Sequence, residues 1–594
     1  MKVVELGARG VARRVPWLAI ALAGGVLFPL VHIPAVRAQA EDPRLVRLGD
    51  EFLDHWLSRS PQLATRLGLH DRDDLLNPVT EASLEQDAAW LRDFRTRLST
   101  LPRASLSFDR ALEYDLLAAR TERELLDLEA LRPFENNPNA YLDLVAGSIQ
   151  SLLDRDFAPF CVRLRLASRR LMQVPEVLRA AQVNLKNPPR LFTEVAISQF
   201  QGALRLYREQ LPAAAEGCKD SGIQADVAEA AASAARATET FLAFLKDVLL
   251  PRSNGSFALG KELYQKRLAL DEMDSTPVDS LLARGWAQLA ETQRRMEVVA
   301  ERIAPGRGVR AALDTLEREA PAAGDLTSFV AAELDSIRAF LRAKSLVTLP
   351  ARENLMVRET PVFRRSLSFA SMSPPGVWEH RATEAYYNVT PAETSWTDQQ
   401  KRDHLAFFNR YAAAIVSIHE ALPGHYYQFL ALRTVPSRLR QVSSAASNTE
   451  GWAHYCEQMA IEEGFGGGDP RFELAQLAMA QQRIGRLVVG ISMHTQGMTY
   501  EEAVRLFEER CAMAPVNAER EARRGAIDPT DLAYTLGKWR ILELRDEVRH
   551  GLGARYSPRV FHDAFLKQGG SPLPLVRAAM LRALKIDPAR PGGP

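Results

Sequence analysis

The chain has 594 residues, of which 46% are hydrophobic and 25% charged, ordinary values for a water-soluble protein with ample chain for a large core. Its 75 basic and 74 acidic residues leave a net charge of +1, a balance in which nothing points to nucleic acid. Four cysteines, Cys161, Cys218, Cys456 and Cys511, contain no CxxC pair, which argues against both a disulfide framework and a cysteine zinc site.

Residues 1–40 read as a secretory signal peptide. A basic stretch ending in Arg13 and Arg14 precedes an apolar run from Val15 to Ile33, and then the small-residue sequence Ala38-Gln39-Ala40. The alternative is an uncleaved membrane anchor, although Pro16, Gly24, Gly25 and Pro29 interrupt the run. The arginine pair fits a twin-arginine signal poorly. Export to the periplasm or beyond is expected, and removing these residues takes away five basic and one acidic residue, moving the net charge from +1 to −3. An exported chain permits a Cys161–Cys218 bridge, while Cys456 suits a small buried apolar position.

Beyond the signal the pattern is helical. Apolar positions recur at three- and four-residue spacing over 43–58, 82–99, 107–130, 162–185, 225–250, 277–303 and 325–344, separated by clusters such as Pro133 to Asn139 and Pro188-Pro189. The alanine-rich 225–250 segment offers Asp226 near its start to face the helix dipole and ends at Pro251. Strand signals are few, the best being Leu355 to Arg358 and Ala385 to Thr390. A further helix is predicted from near Gln399 through Ala412 to Ile418. The expected fold is therefore mainly α with a small β element, divided into an N-terminal helical region (41–345) and a C-terminal helical catalytic region (346–594).

The chemistry concentrates in His-Glu-Ala-Leu-Pro-Gly-His (419–425) and Glu-Gly-Trp-Ala-His-Tyr-Cys-Glu (450–457). Two imidazoles and a later carboxylate are a zinc hydrolase's ligand types, and a carboxylate beside the first imidazole suits a general base. Zinc histidines usually stand at i and i+4, whereas His419 and His425 stand at i and i+6, ~240° apart on a regular helix. Pro423 removes a ladder N–H and clashes with the carbonyl four residues back, and Gly424 permits unusual backbone angles. The backbone around Leu422 to Gly424 must therefore leave α-helical geometry if the two rings are to converge. Asn448 or Thr449 is expected to start the next helix, placing Glu450 in its first turn. Glu457, seven residues on and ~20° around, shares that face and suits a carboxylate that orients a ligand histidine. Gly451 is expected to let this helix approach the zinc helix closely.

These residues carry a resemblance. HEALPGHYYQ (419 to 428), EGWAHYCE (450 to 457), RLVVGISMHTQGMTYEEA (486 to 503), FHDAFLKQGGSPLPL (561 to 575) and PQLATRLGLHD (61 to 71) resemble the bacterial family catalogued as domain of unknown function 885, whose members are similar to gluzincin zinc metallopeptidases with a neurolysin-like helical body. The resemblance implies a large gluzincin-like peptidase body with its β element beside the active-site cleft, holding one zinc ion through His419, His425 and Glu450, with Glu420 as base. It further implies an edge strand along that cleft, for which Tyr386 to Val389 is the candidate, with Tyr387 and Asn388 as substrate contacts; a short structural hairpin is the other reading. His494 and Tyr534 lie in segments similar to the family's and are either oxyanion donors on the wall opposite the zinc or core residues. Three departures stand out: His454 where the family is usually apolar, read as a neutral packed histidine; Gly490 where it commonly has aspartate; and DPTDLAY (528 to 534) in place of a Pro-Gly-Gln run. The tail from Phe561 to Leu575 is expected to pack on and cap the body.

The expected function is zinc-dependent hydrolysis of peptide bonds in short peptides, of oligopeptidase or carboxypeptidase type. The alternative is an exported helical binding protein or a peptidase-like body that no longer catalyses. Arg540 and Arg545 are among the basic residues that could capture a terminal carboxylate.

Overall fold

The structure is a computed structural model that describes residues 42–587, apart from 323, 351, 361–364, 366–368 and 395. The signal-peptide expectation lies outside the described residues. Among those described, no helix is long and apolar enough to cross a membrane.

The protein is mainly α, as the periodicity predicts. Helices span Pro43–Arg59, Glu81–Ser99, Phe108–Leu126, Phe160–Asn184, Ser221–Ala243, Val278–Ile303 and Leu326–Lys344, each within a few residues of its predicted start. Their starts follow from capping: Asp42 accepts from the Arg44 N–H ahead of Pro43, and Thr80 and Ser107 accept from the N–H groups three residues on. The alanine-rich helix begins at Ser221, four residues earlier than expected, because the Asp220 carboxylate accepts from the Gly222 and Ile223 N–H groups; Asp226 lies inside the helix. Cys161 and Cys218 are disulfide-bonded, joining the first turn of Phe160–Asn184 to the loop before Ser221–Ala243. Cys456 and Cys511 are buried and free.

Among the described residues three strands form one sheet: β1 (Leu355–Glu359), β2 (Ala370–Ser373) and β3 (Ala385–Val389). Their order is β1-β3-β2, with β1 parallel and β2 antiparallel to β3. This corrects the edge-strand expectation. Tyr386 to Val389 is the central strand, its main chain paired on both sides, and the strand missed in the sequence, β2, is an edge. Neither predicted substrate residue is available. Asn388 is fully buried, accepts from Arg358 Nε at 2.7 Å and donates to Ser373 Oγ at 2.9 Å; the Tyr387 ring is buried with its hydroxyl 3.2 Å from Ser417 Oγ. Short strands of mixed polar residues such as Ala-Ser-Met-Ser carry no alternation to read.

The helices that build the site follow: α1 (Arg410–Glu420), α2 (His425–Leu432), α3 (Ala446–Glu462), α4 (Pro470–Thr495), α5 (Pro515–Ile527) and α6 (Ala533–Leu552). The predicted continuous helix from Gln399 is two. Asp398–Phe407 stops, and Asn409 restarts the chain as α1 by accepting from the Tyr411 and Ala412 N–H groups. Residue 345 separates no core. Tyr264–Leu289 packs with Ile484–Trp539 in one cluster, Met296–Val347 with Ala385–Leu581 in a second, and Leu45–Leu125 with Leu439, Leu575 and Ala579 in a third. The tail caps the body as expected: Phe565 stacks on Trp452 at 4.9 Å, and Asn448 Nδ2 donates to the Gly569 and Ser571 carbonyls.

One polar tether joins the early chain to the segment between β2 and β3. His70 bonds Asp73 Oδ2 through Nδ1 (2.8 Å) and Glu379 Oε2 through Nε2 (2.9 Å), with its ring stacked on Phe157. Burial lowers its pKa, but the two carboxylates more than reverse that and raise it above the ordinary 6.5. The folded state thus holds this proton more tightly than the unfolded chain. The stabilisation is complete below about pH 6.5 and is lost as pH rises through the raised folded value. His70→Gln is expected to lower the unfolding free energy measured in urea by on the order of 1–2 kcal/mol at pH 6, and by much less at pH 9. A gap that does not change with pH would show that His70 is not charged in the fold.

Candidate metal centre

The i, i+6 spacing is resolved by a break in the helix. α1 ends at Glu420, where Ala421 and Leu422 N–H groups both reach the Ser417 carbonyl, the Leu422–Pro423 bond is cis, and Gly424 N–H returns to the Ile418 carbonyl at 3.1 Å before α2 starts at His425. Only glycine fits at 424: a Cβ there would stand 1.9 Å from the His419 carbonyl oxygen. Trp452 Nε1 donates to the Pro423 carbonyl at 2.9 Å, pinning the turn to α3. The His419 and His425 rings lie 4.8 Å apart between centroids, nearly perpendicular.

Glu450 completes a group. His419, His425 and Glu450 each offer an atom, all within 4.8 Å of one another; Glu450 Oε2 is 3.5 Å from His419 Nε2 and 3.4 Å from His425 Nε2. Two ligands bound ~2.1 Å from one tetrahedral ion stand ~3.4 Å apart, so these spacings fit a zinc-sized cation. Glu450 Oε2 and His425 Nδ1 are also buried atoms without a hydrogen-bond partner, and a cation would satisfy the first. The field agrees. Burial lowers the His419 pKa, yet Glu450 and Glu457 raise it to about 9, and Glu450 itself is held well below the carboxylate range by the two histidines despite its burial. A site that attracts a proton this strongly attracts a divalent cation by the same charges.

Glu450 does not sit where the sequence placed it. α3 begins at Ala446, so Glu450 falls in the second turn, and the first turn is instead capped from afar by the buried Glu272, which accepts from Ser447 N and Oγ. Burial pushes Glu272 up to about 7. Gly451 approaches α6 rather than the zinc helix: its added Cβ would lie 2.5 Å from Gly537.

Glu457 stands behind the group. Its Oε1 accepts from His419 Nδ1 at 2.8 Å, which orients the ring with Nε2 towards Glu450, and it also receives Arg483 Nη2 at 2.9 Å and His454 Nδ1 at 3.2 Å. His454 is fully buried, and burial together with Lys538 drives its pKa down to about 3, so it is a neutral packed ring. Glu420 is half-buried on the last turn of α1, its Oε2 accepting from Met372 N–H of β2 at 3.0 Å.

Tyr534 and His494 part company. The Tyr534 ring stacks on His419 at 6.3 Å, and burial first, with Glu450 nearby, raises its pKa to about 12, keeping the hydroxyl a donor. His494 is corrected: it lies eleven residues beyond Arg483 on α4, ~16 Å along the axis, where Nε2 bonds the Gly525 carbonyl and the ring packs on Phe257 and Tyr264. It is a core histidine, not a wall of this site. At Gly490 an added side chain would meet nothing within 4 Å. Arg540 and Arg545 are engaged by Asp274 and Glu462.

Sequence reasoning missed Arg483, Lys538 and the Met372 amide. Arg483 and Arg486 stand in a largely buried stretch of α4, a readable signal; the amide is not one, since any residue supplies it. Burial lowers Lys538 to about 8 beside Glu457.

Residues 61–580 match the family model described as a bacterial protein of unknown function, DUF885. The chain belongs to that family. As a DUF885 member it shares its fold with a protein from Shewanella oneidensis described as a lipoprotein of unknown function, at 26% identity and a TM-score of 0.77, covering 90% of this chain and 99% of that one. A second solved structure, described as a lipoprotein from Colwellia psychrerythraea, has 16% identity and the same TM-score of 0.77, covering 91% of this chain and 99% of that one. No curated protein matches the sequence.

Proposed function

We propose that this DUF885 protein is an exported, zinc-dependent hydrolase of peptide bonds in short peptides, with a body of the gluzincin, neurolysin-like type. The observation that carries the reading is the convergence of His419 Nε2, His425 Nε2 and Glu450 Oε2, with Glu420 following His419 directly in the chain. The signal-like residues 1–40 support export, as does the description of both solved relatives as lipoproteins.

The three residues would hold the ion, which when bound supplies Lewis acidity to a water and to the peptide carbonyl. Glu420 takes the proton of the attacking water and returns it to the leaving amine. The Met372 N–H holds the Glu420 carboxylate in place, and Glu457 fixes the ring of His419. Tyr534, protonated at neutral pH, donates to the oxygen on which charge develops.

Elemental analysis of the purified protein joined to a peptide-library digest tests this. About one zinc per chain with cleavage of short peptides is expected. Stoichiometric metal without turnover would make the chain a binding protein, and a chain that takes up no metal would remove the site.

A further inference from the structure

One buried charge near the candidate metal centre has no counter-charge of its own. Lys538 is 7% exposed and, among the described residues, its ammonium makes no hydrogen bond and no ion pair. Its place is set by the crossing of α3 and α6. It follows Gly537, and its main-chain nitrogen would stand 2.9 Å from a Cβ on Gly451. Tyr534, which stacks on His419, lies four residues earlier on α6, ~6 Å along the axis and on the same face. Lys538 therefore stands one helical turn from a residue that touches the metal group.

Burial pulls the Lys538 pKa down to about 8, which leaves it charged at neutral pH; the charges that act on it most are Glu457, which favours the ammonium, and Arg483, which opposes it. Glu457 is already balanced without Lys538. Arg483 Nη2 donates to Glu457 Oε1 at 2.9 Å, and Arg483 Nη1 lies 3.4 Å from Oε2. His454, the other partner of Glu457, is neutral, and the next charges out, Glu462 and Arg295, bond Arg545 and Glu473. Lys538 is thus surplus positive charge behind His419. An ammonium buried without a partner destabilises a fold, and no contact of this one offsets that cost.

A dication held by His419, His425 and Glu450 feels this charge both directly and through Glu457. A carboxylate drawn towards two cations is a weaker acceptor for the His419 Nδ1–H, so the ring gives less electron density to the ion. We infer that the Lys538 ammonium, acting through Glu457, weakens the centre's hold on a divalent cation and leaves the bound ion a stronger Lewis acid. The effect rests on the metal-binding reading above and names the residue that sets the strength of that binding.

Zinc affinity is measured by competition with a chelator on the unaltered protein, Lys538→Met and Lys538→Gln, together with urea unfolding of the metal-free chains and kcat of the zinc-loaded ones on a short peptide. Both variants are expected to bind zinc ~10- to 100-fold more tightly, the size of a unit charge acting on a dication across part of a protein interior. Their kcat is expected to be ~10-fold lower. Lys538→Met should also raise the urea midpoint, because a side chain of similar length then buries no charge. A purely structural role for Lys538 moves these readouts the other way: weaker zinc binding, or a variant that fails to fold, overturns the inference. Zinc held equally by all three chains overturns it and leaves the metal reading intact, whereas no uptake by the unaltered chain ends both. Tighter zinc with an unaltered kcat, or in a chain that turns over no peptide, supports the effect on affinity and overturns the effect on reactivity.

Discussion

Glu420→Gln is expected to keep its bound metal and lose most peptide hydrolysis, by ~10²- to 10⁴-fold in kcat, the range a positioned general base contributes. His419→Ala, His425→Ala and Glu450→Ala are expected to lose the metal itself, because each removes one of three atoms that converge within 4.8 Å. Glu457→Ala should fall between: the His419 Nδ1–H would lose its acceptor and Arg483 its carboxylate, weakening metal affinity ~10- to 100-fold while leaving the ligand atoms present. Dialysis against a metal buffer followed by elemental analysis, with kcat on a short peptide, separates the three classes. Zinc held at unaltered affinity in both histidine variants would end the assignment, and so would a fully active Glu420→Gln enzyme.

Gly537→Ala is expected to be among the most damaging single methyl additions in the chain. α3 and α6 cross where Gly451 faces Gly537, and a Cβ at 537 would stand 1.8 Å from the Ser447 carbonyl oxygen and 2.7 Å from the Gly451 Cα. Both obstacles are backbone, so no side chain can rotate out of the way and the helices must separate. Overpacking typically costs ~1–3 kcal/mol, and a clash with backbone on both sides belongs at the upper end of that range. The separation also reaches the site, since α3 carries Glu450 and Glu457 while α6 carries Tyr534, so metal affinity should fall together with the urea midpoint. Gly202→Ala is the control: it lies in the helix Arg190–Arg205, its added Cβ meets nothing within 4 Å, and it should stabilise slightly, by ~0.5–1 kcal/mol. Equal effects at 202 and 537 would mean that the crossing is not tight.

The candidate site was legible because its chemistry is written in residue types: two imidazoles and two carboxylates at Glu420 and Glu450 are an uncommon combination, and Pro423-Gly424 announces that the helix cannot continue between the histidines. The mainly α body was legible because its helices are long, periodic and capped locally, as at Asp42 and Thr80. Metal binding and turnover are the measurements that this reading awaits.

What tertiary structure decided lies where the deciding partner is distant in sequence. Nothing local says that β3 is paired on both sides, because strand order depends on β1 and on β2, a strand of four residues with no alternation. That pairing buries Asn388 and Tyr387 and leaves β1 and β2 as the outer strands among the described residues. The start of α3 could not be read from Asn448 or Thr449, because its cap is Glu272, 175 residues away. His494 and Tyr534 looked equivalent as residues, yet one faces Gly525 and the other His419, a difference set by where each helix packs. The sequence by itself determined which elements form and which side chains can do chemistry, since both follow from short-range periodicity and residue type. Which of those side chains meet was decided only by packing, since contacts between residues far apart in the chain leave no periodic trace.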